Sequence, residues 1–142
     1  MDSLPTAEEK DIKDDPVLFS IIYDNSAYRE DIKTDWGFSA VIRTAGRQIL
    51  FDTGSDGQLL LENMRKMRIR PESIDTVFLS HHHFDHTGGL SAFLHQNSNV
   101  QIFVPESLRG IRRAKEVIHI KISRNFLTAC IQRANSAILN NP

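Results

Sequence analysis

A cluster of titratable side chains at the end of an apolar strand constrains this chain more than any other feature. The run Ser80-His81-His82-His83-Phe84-Asp85-His86-Thr87-Gly88-Gly89 holds four of the six histidines, with an aspartate set among them. It follows Ile74-Asp75-Thr76-Val77-Phe78-Leu79, whose β-branched and aromatic residues predict a strand. Neutral imidazole is the commonest metal ligand, and a carboxylate is its usual partner where a site must also hold a water. A strand end seldom carries so much titratable surface without a use, so the run reads as a metal cradle rather than a surface histidine cluster. His81 and His83 alternate and can converge on one ion. Asp85 and His86 can reach a second ion or steer a bound water. Gly88-Gly89 permits the tight turn into a helix from about Leu90 to Gln96.

The rest of the chain alternates strand and helix patterns, which predicts an α/β fold with ligands at the carboxyl ends of its strands. Val17 to Tyr23 reads as a buried strand, and Asp24 to Gly37 as a polar loop. Phe38–Arg43 and Gln48–Asp52 form a hairpin around Ala45-Gly46. A turn at Asp52-Thr53-Gly54 leads into a helix over Gln58–Met67. There Leu59, Leu60, Met64 and Met67 recur near helical spacing to pack on a sheet, and Pro71 is expected to stop the helix. Asn99–Val104 is a further strand, Glu106–Glu116 looks helical, and Val117–Ile122 reads as a last strand. Arg124–Leu139 has helical periodicity through Phe126, Ile131 and Ile138.

Three regions are expected: a mobile acidic arm over 1–16, a domain over 17–120, and a divergent helical tail over 121–142. A chain of 142 residues is one domain's worth. Nine acidic residues precede Lys33, whereas seven basic residues follow His86 against only Glu106 and Glu116. A net charge of −1 makes no general case for nucleic acid or an anionic membrane, and Arg109, Arg112, Arg113 and Lys115 read as a solvated helix face. No apolar stretch approaches a membrane span, and the acidic N-terminus lacks a signal pattern. The single cysteine, Cys130, excludes an intramolecular disulfide, so a reducing, cytoplasmic location is expected.

The spacing His-x-His-x-Asp-His over His81–His86, with Ile49-Leu50-Phe51-Asp52-Thr53-Gly54 before it, resembles the signature of the metallo-β-lactamase superfamily. Tyr23-Asp24-Asn25 and Trp36-Gly37-Phe38-Ser39-Ala40 extend the resemblance to a subgroup. Its members are often labelled dihydropterin-related ribofuranosyl-aminobenzene phosphate synthases. The resemblance implies an αββα sandwich, of which this chain is the N-terminal half, and metal-dependent hydrolysis by a metal-activated water. By the same resemblance His81 and His83 bind a first metal, and Asp85 and His86 a second. Asp85 is catalytic, and Asp52 orients a ligand rather than binding metal. The ions are zinc, with manganese or iron as alternatives, and the substrate is a small molecule. Trp36 either lines a substrate entrance or packs in the core or on the hairpin, the ordinary role of such a residue.

The superfamily site also takes a third histidine, a bridging aspartate and a last histidine from its second half. No aspartate follows Asp85, and only His95 and His119 remain, with His119 a weak candidate for the third histidine. The chain therefore looks truncated, with a site that is incomplete on its own. Two alternatives stand beside hydrolysis. One is a catalytically incompetent fragment, which binds metal weakly and needs self-association or a complementing half. The other is a nucleic-acid-processing hydrolase.

Overall fold

A computed structural model describes residues 16–111 and 114–120. The expected N-terminal arm before Pro16, the helix over Arg124–Leu139, and Arg112 and Arg113 lie outside the described residues. Strands β1 (Leu18–Tyr23), β2 (Ser39–Thr44) and β3 (Arg47–Phe51) are followed by helix α1 (Gly57–Lys66) and strand β4 (Thr76–Phe78). Then come the short helix α2 (Phe84–Thr87), helix α3 (Leu90–Gln96), and strands β5 (Gln101–Pro105) and β6 (Glu116–Ile120). The six strands form one mixed sheet in sequence order. β1, β2 and β3 pair antiparallel, and β3 to β6 run parallel.

The alternation of side chains along each strand gives the sheet two different faces. Val41, Leu50, Val77, Ile102 and Val117 align in register on one face. Leu60 and Met64 of α1 and Phe93 of α3 join them in the core. Each such side chain contributes roughly 1.5–3 kcal/mol when fully buried. One residue along lies the row Ala40, Phe51, Phe78, Phe103 and Ile118, which faces the other way. Phe51 and Phe78 stack at 5.4 Å, and Phe19, on that same outer face, is 66% exposed.

The hairpin turns on Ala45 and Gly46, both at positive φ, the pattern that matches strand twist in two-residue loops. Asp56 caps α1 by accepting from the backbone N–H groups of Gln58 and Leu59. α1 ends near Met67 as expected, but Pro71 is not what stops it. Arg68 adopts a left-handed φ of 57°, and Ile69 N–H returns to the Met64 carbonyl, so the chain has already turned.

The helix expected over Glu106–Glu116 is corrected. The described residues there form a turn and irregular backbone, with Gly110 at a φ of 84°. Leu108, Ile111 and Ala114 pack against the core at a spacing of three, which imitates helical periodicity in sequence. Arg109 accordingly does not stand on a helix face. Its guanidinium donates to the Glu106 carbonyl. Among the described residues no helix is long and apolar enough to cross a membrane.

Candidate metal centre

Three loops meet at the carboxyl end of β3 and β4, and backbone hydrogen bonds lock them together. Asp52 N–H donates to the Phe78 carbonyl at 2.9 Å, which carries the strand pairing one step beyond β3. Thr53 donates both its N–H (2.7 Å) and its hydroxyl (2.9 Å) to the His86 carbonyl. Gly89 N–H reaches the Gly54 carbonyl, and Phe38 N–H reaches the Asp85 carbonyl. Gly37, at a φ of 134°, lies so close to Asp85 that a Cβ there would collide with its backbone. Asp52 itself adopts a φ of 54°, a left-handed conformation that aspartate tolerates better than most residues. Such strain is held only where the surroundings over-determine it.

Asp52 is 1% exposed, and every hydrogen bond its carboxylate accepts comes from the histidine loop. Its Oδ1 accepts from Ser80 N–H at 2.8 Å. Its Oδ2 accepts from the Ser80 hydroxyl at 2.6 Å and lies 2.7 Å from His86 Nδ1. Hydrogen bonds to an ionised acceptor each contribute about 1.5–3 kcal/mol, so this carboxylate is a strong anchor. Ser80 Oγ also lies 2.8 Å from His81 Nδ1.

Two overlapping groups of ligand atoms result, each within 4.8 Å of one another: Asp52, His81 and His86, and His81, His83 and Asp85. The oxygens of Asp52 are engaged by Ser80 and His86, which leaves the second group as the freer donor set. The His81 ring centre lies 4.1 Å from that of His86 and 4.6 Å from that of His83. His86 Nε2 lies 3.5 Å from Asp85 Oδ2, so Asp85 stands within reach of all three histidines. Ligand atoms about 2 Å from one ion are at most about 4 Å apart, so the set needs only a small contraction to hold a cation. The mixture of imidazoles and a carboxylate suits a borderline divalent metal.

Burial pushes the His81 imidazole below the ordinary histidine range, and the neighbouring His86 and His83 add to the effect. A neutral imidazole is the form that ligates metal. Beside the group opens a cleft of about 180 Å³, lined by Asp24, Asn25, Trp36, Phe38, Asp85 and His86 among others. Trp36 is 68% exposed and lines this cleft, so the expected packing role is corrected. Asn25 holds the rim in place by accepting from Gly37 N–H at 2.8 Å. A larger cleft of about 630 Å³ lies at the far end of α1, between Leu61, Arg65, Arg68 and Gln96, and holds none of these groups.

His82 is exposed and belongs to neither donor group. His95 donates Nδ1–H to the Ser91 carbonyl within α3. His119 stands on β6, where Nε2–H donates to the Leu108 carbonyl, and the structure does not bring it to the other histidines. Ser80 is the participant that sequence reasoning passed over. A serine before a histidine run carries no signal by itself, and only the pairing of β3 with β4 sets its hydroxyl between Asp52 and His81.

The family model of the metallo-beta-lactamase superfamily matches residues 37–118, more than half of the chain. This chain belongs to the metallo-beta-lactamase superfamily. Within the superfamily it is similar to the "7,8-dihydropterin-6-methyl-4-(beta-D-ribofuranosyl)-aminobenzene-5'-phosphate synthase" of Methanocaldococcus jannaschii. The two are 33% identical over 104 residues, which are 70% of this chain and 35% of that protein. It is also similar to ribonuclease Z of Treponema pallidum, 33% identical over 89 residues, or 63% of this chain and 27% of the relative. The chain thus spans about a third or less of the length of these curated relatives. Its fold matches the metallo-beta-lactamase fold protein YhfI of Bacillus subtilis with a TM-score of 0.55 at 16% identity. That match covers 78% of this chain and 48% of the other. The six-stranded sheet with helices on its core face is therefore a portion of the superfamily's sandwich.

Proposed function

We propose that this chain is the metal-binding portion of a metal-dependent hydrolase. It would hold one or two divalent transition metals, zinc first, with manganese or iron as alternatives. The carrying observation is the clustering of His81, His83, Asp85 and His86, with Asp85 and His86 on the wall of a cleft and His86 anchored by Asp52. Such ions supply Lewis-acid charge and acidify water towards neutrality. His81 and His83 form one side of the donor set and His86 the other, with Asp85 between them. Asp85 also lines the cleft, so its carboxylate can hold the attacking water and carry a proton from it to the leaving group. Trp36 and Asn25 shape the entrance for a small-molecule substrate.

Purified chain, loaded with zinc or manganese and then exchanged into metal-free buffer, should retain about one to two equivalents of metal. His81→Ala and His83→Ala should retain less. Absence of retained metal in the wild-type chain, or equal retention in both variants, overturns the reading.

The ribonuclease Z likeness favours a second reading, in which the same donor set serves phosphodiester cleavage in RNA. Salt-dependent RNA binding in a mobility assay would support it. The half-exposed outer face with Phe51, Phe78 and Phe103 favours a third, in which the activity requires a complementing half or a second copy over that face. A stable monomer at high concentration by gel filtration, with turnover, would rule against it.

A further inference from the structure

We infer that Ser80 is a positioning residue which, with Asp52, sets the tautomers of His81 and His86 together and turns both Nε2 atoms into lone-pair donors. The inference rests on the metal-binding reading for its purpose, but not for its physical content. An ionised carboxylate accepts hydrogen bonds and donates none. The single hydroxyl proton of Ser80 is therefore the one in the 2.6 Å contact to Asp52 Oδ2. With that proton spent, the 2.8 Å contact between Ser80 Oγ and His81 Nδ1 can form only if Nδ1–H donates to Oγ. The 2.7 Å contact between His86 Nδ1 and Asp52 Oδ2 likewise requires Nδ1–H. A neutral imidazole carries one N–H, so Nε2 of each ring is left with a lone pair. One buried carboxylate thus dictates the proton placement of two rings, directly for His86 and through the serine hydroxyl for His81.

The far side of His86 agrees. With its proton on Nδ1, Nε2 meets Asp85 Oδ2 at 3.5 Å as one acceptor facing another. Two acceptors at that spacing suit joint binding of a cation rather than a hydrogen bond. The partner on a ligand's other ring nitrogen fixes which nitrogen ligates, and losing such a partner typically weakens metal binding about 10–100-fold.

The direction of the protons can be reversed with one atom. In Asp52→Asn, Ser80 N–H still requires an acceptor at the Oδ1 position. The amide oxygen is therefore pinned there, and the NH2 group takes the place of Oδ2. It then donates to Ser80 Oγ and to His86 Nδ1. Ser80 must pass its own proton to His81 Nδ1, and both rings are forced to the Nε2–H form. An isosteric change would thereby remove both lone pairs from the site. The same logic underlies the wrong-tautomer effect of replacing a histidine's aspartate partner in a catalytic triad.

The test reads the tautomers by nitrogen-15 NMR of the imidazoles, on the full metal-free chain at about pH 8, where free histidine is neutral. Wild type should show Nδ1–H for His81 and His86. Ser80→Ala should release His81 alone, Ser80→Thr should restore it, and Asp52→Asn should give Nε2–H at both. Backbone amide spectra report folding; if Asp52→Asn unfolds, the alanine and threonine pair decides. Wild-type His81 in the Nε2–H form, or an unchanged His81 in Ser80→Ala, overturns the inference. Cobalt titration then gives the consequence, with Ser80→Ala expected to bind about 10–100-fold more weakly. A wild-type chain with the expected tautomers that binds no metal would refute the metal-binding reading and leave the proton placement standing.

Discussion

His81 and His86 carry rings held at one nitrogen, whereas His82 and His83, which lie between them in sequence, carry rings without a hydrogen bond among the described residues. The held pair faces the protein and rests on Asp52 and Ser80. The other two are exposed, beside Phe84 at 71% exposure. The difference arises from contacts distant in sequence. His86 is fixed because its carbonyl receives two bonds from Thr53 and its ring meets Asp52, both on the turn after β3. His83 offers the neighbouring turn only its carbonyl, which accepts from His86 N–H and Thr87. On the proposed metal-binding reading, His81 has its orientation set before metal arrives, while His83 must be ordered on binding, at a cost of roughly 1 kcal/mol. The loop therefore joins a rigid side to an adaptable one.

The largest effect should come from breaking the rigid side at its closest approach. Gly37→Ala places a Cβ against the Asp85 backbone at a φ of 134°, so the strand-end loops must part. We expect a loss of more than about 2 kcal/mol in urea denaturation, with metal retention reduced as well. Unchanged stability would mean that the loops are not clamped as described. Next comes His83→Ala, on the adaptable side. Stability should stay within about 0.5 kcal/mol of wild type, because an exposed ring with no hydrogen bond is removed. Zinc affinity should fall at least about tenfold, or about 1.4 kcal/mol. Equal losses of stability in the two variants would erase the distinction between the sides.

The same division explains what could be read from the sequence. The clustering of these side chains was legible because it is local: His81, His83, Asp85 and His86 fall within six positions on a loop that a strand must deliver. The helix Leu90–Gln96 was legible because its apolar period agrees with its burial, whereas β1 was legible as a strand but not as a buried one, since Val17, Leu18, Phe19 and Ile21 are exposed. Ser80 was not, because its role exists only once Asp52 crosses from the neighbouring strand. The segment after Pro105 misled for the opposite reason. Leu108, Ile111 and Ala114 are apolar because they pack on the core, and their spacing looks helical although Gly110 turns the chain. Trp36 misled through its size: a large aromatic residue is usually covered, and here it stands at the rim of the cleft.

A smaller effect concerns pH in the metal-free chain. The His81 pKa lies below its ordinary value, chiefly because the ring is desolvated. Above about pH 6.5, the ring is neutral whether the chain is folded or unfolded, and its stabilising contribution is fully present. As pH falls below that value, the unfolded chain binds a proton that folded His81 still refuses. Stability is therefore lost as pH drops towards the folded pKa. Denaturation of wild type and His81→Gln at pH 7.5, 6.5 and 5.5 isolates this ring from the other histidines. The wild-type curve should fall more steeply below pH 6.5, and parallel curves would show that the ring is not desolvated as placed.

The smallest expected effect is the sharpest test of how the adaptable side is divided. His82 and His83 are neighbours with ring centres 5.2 Å apart, both exposed, and composition alone cannot distinguish them. Only His83 enters a donor group with His81 and Asp85, because the alternation from His81 brings every second side chain to the same side. His82→Ala should therefore leave metal retention and stability at wild-type levels, the latter within about 0.5 kcal/mol. Because the two imidazoles lie side by side, a mobile loop would let His82 replace a deleted His83. The double variant His82→Ala/His83→Ala measures this directly. If it retains the same metal as His83→Ala, the backbone turn at His83 fixes which ring joins His81 and Asp85. If it retains less, the exposed side of the loop supplies a pool of interchangeable imidazoles, and only the side held by Asp52 and Ser80 is specified residue by residue.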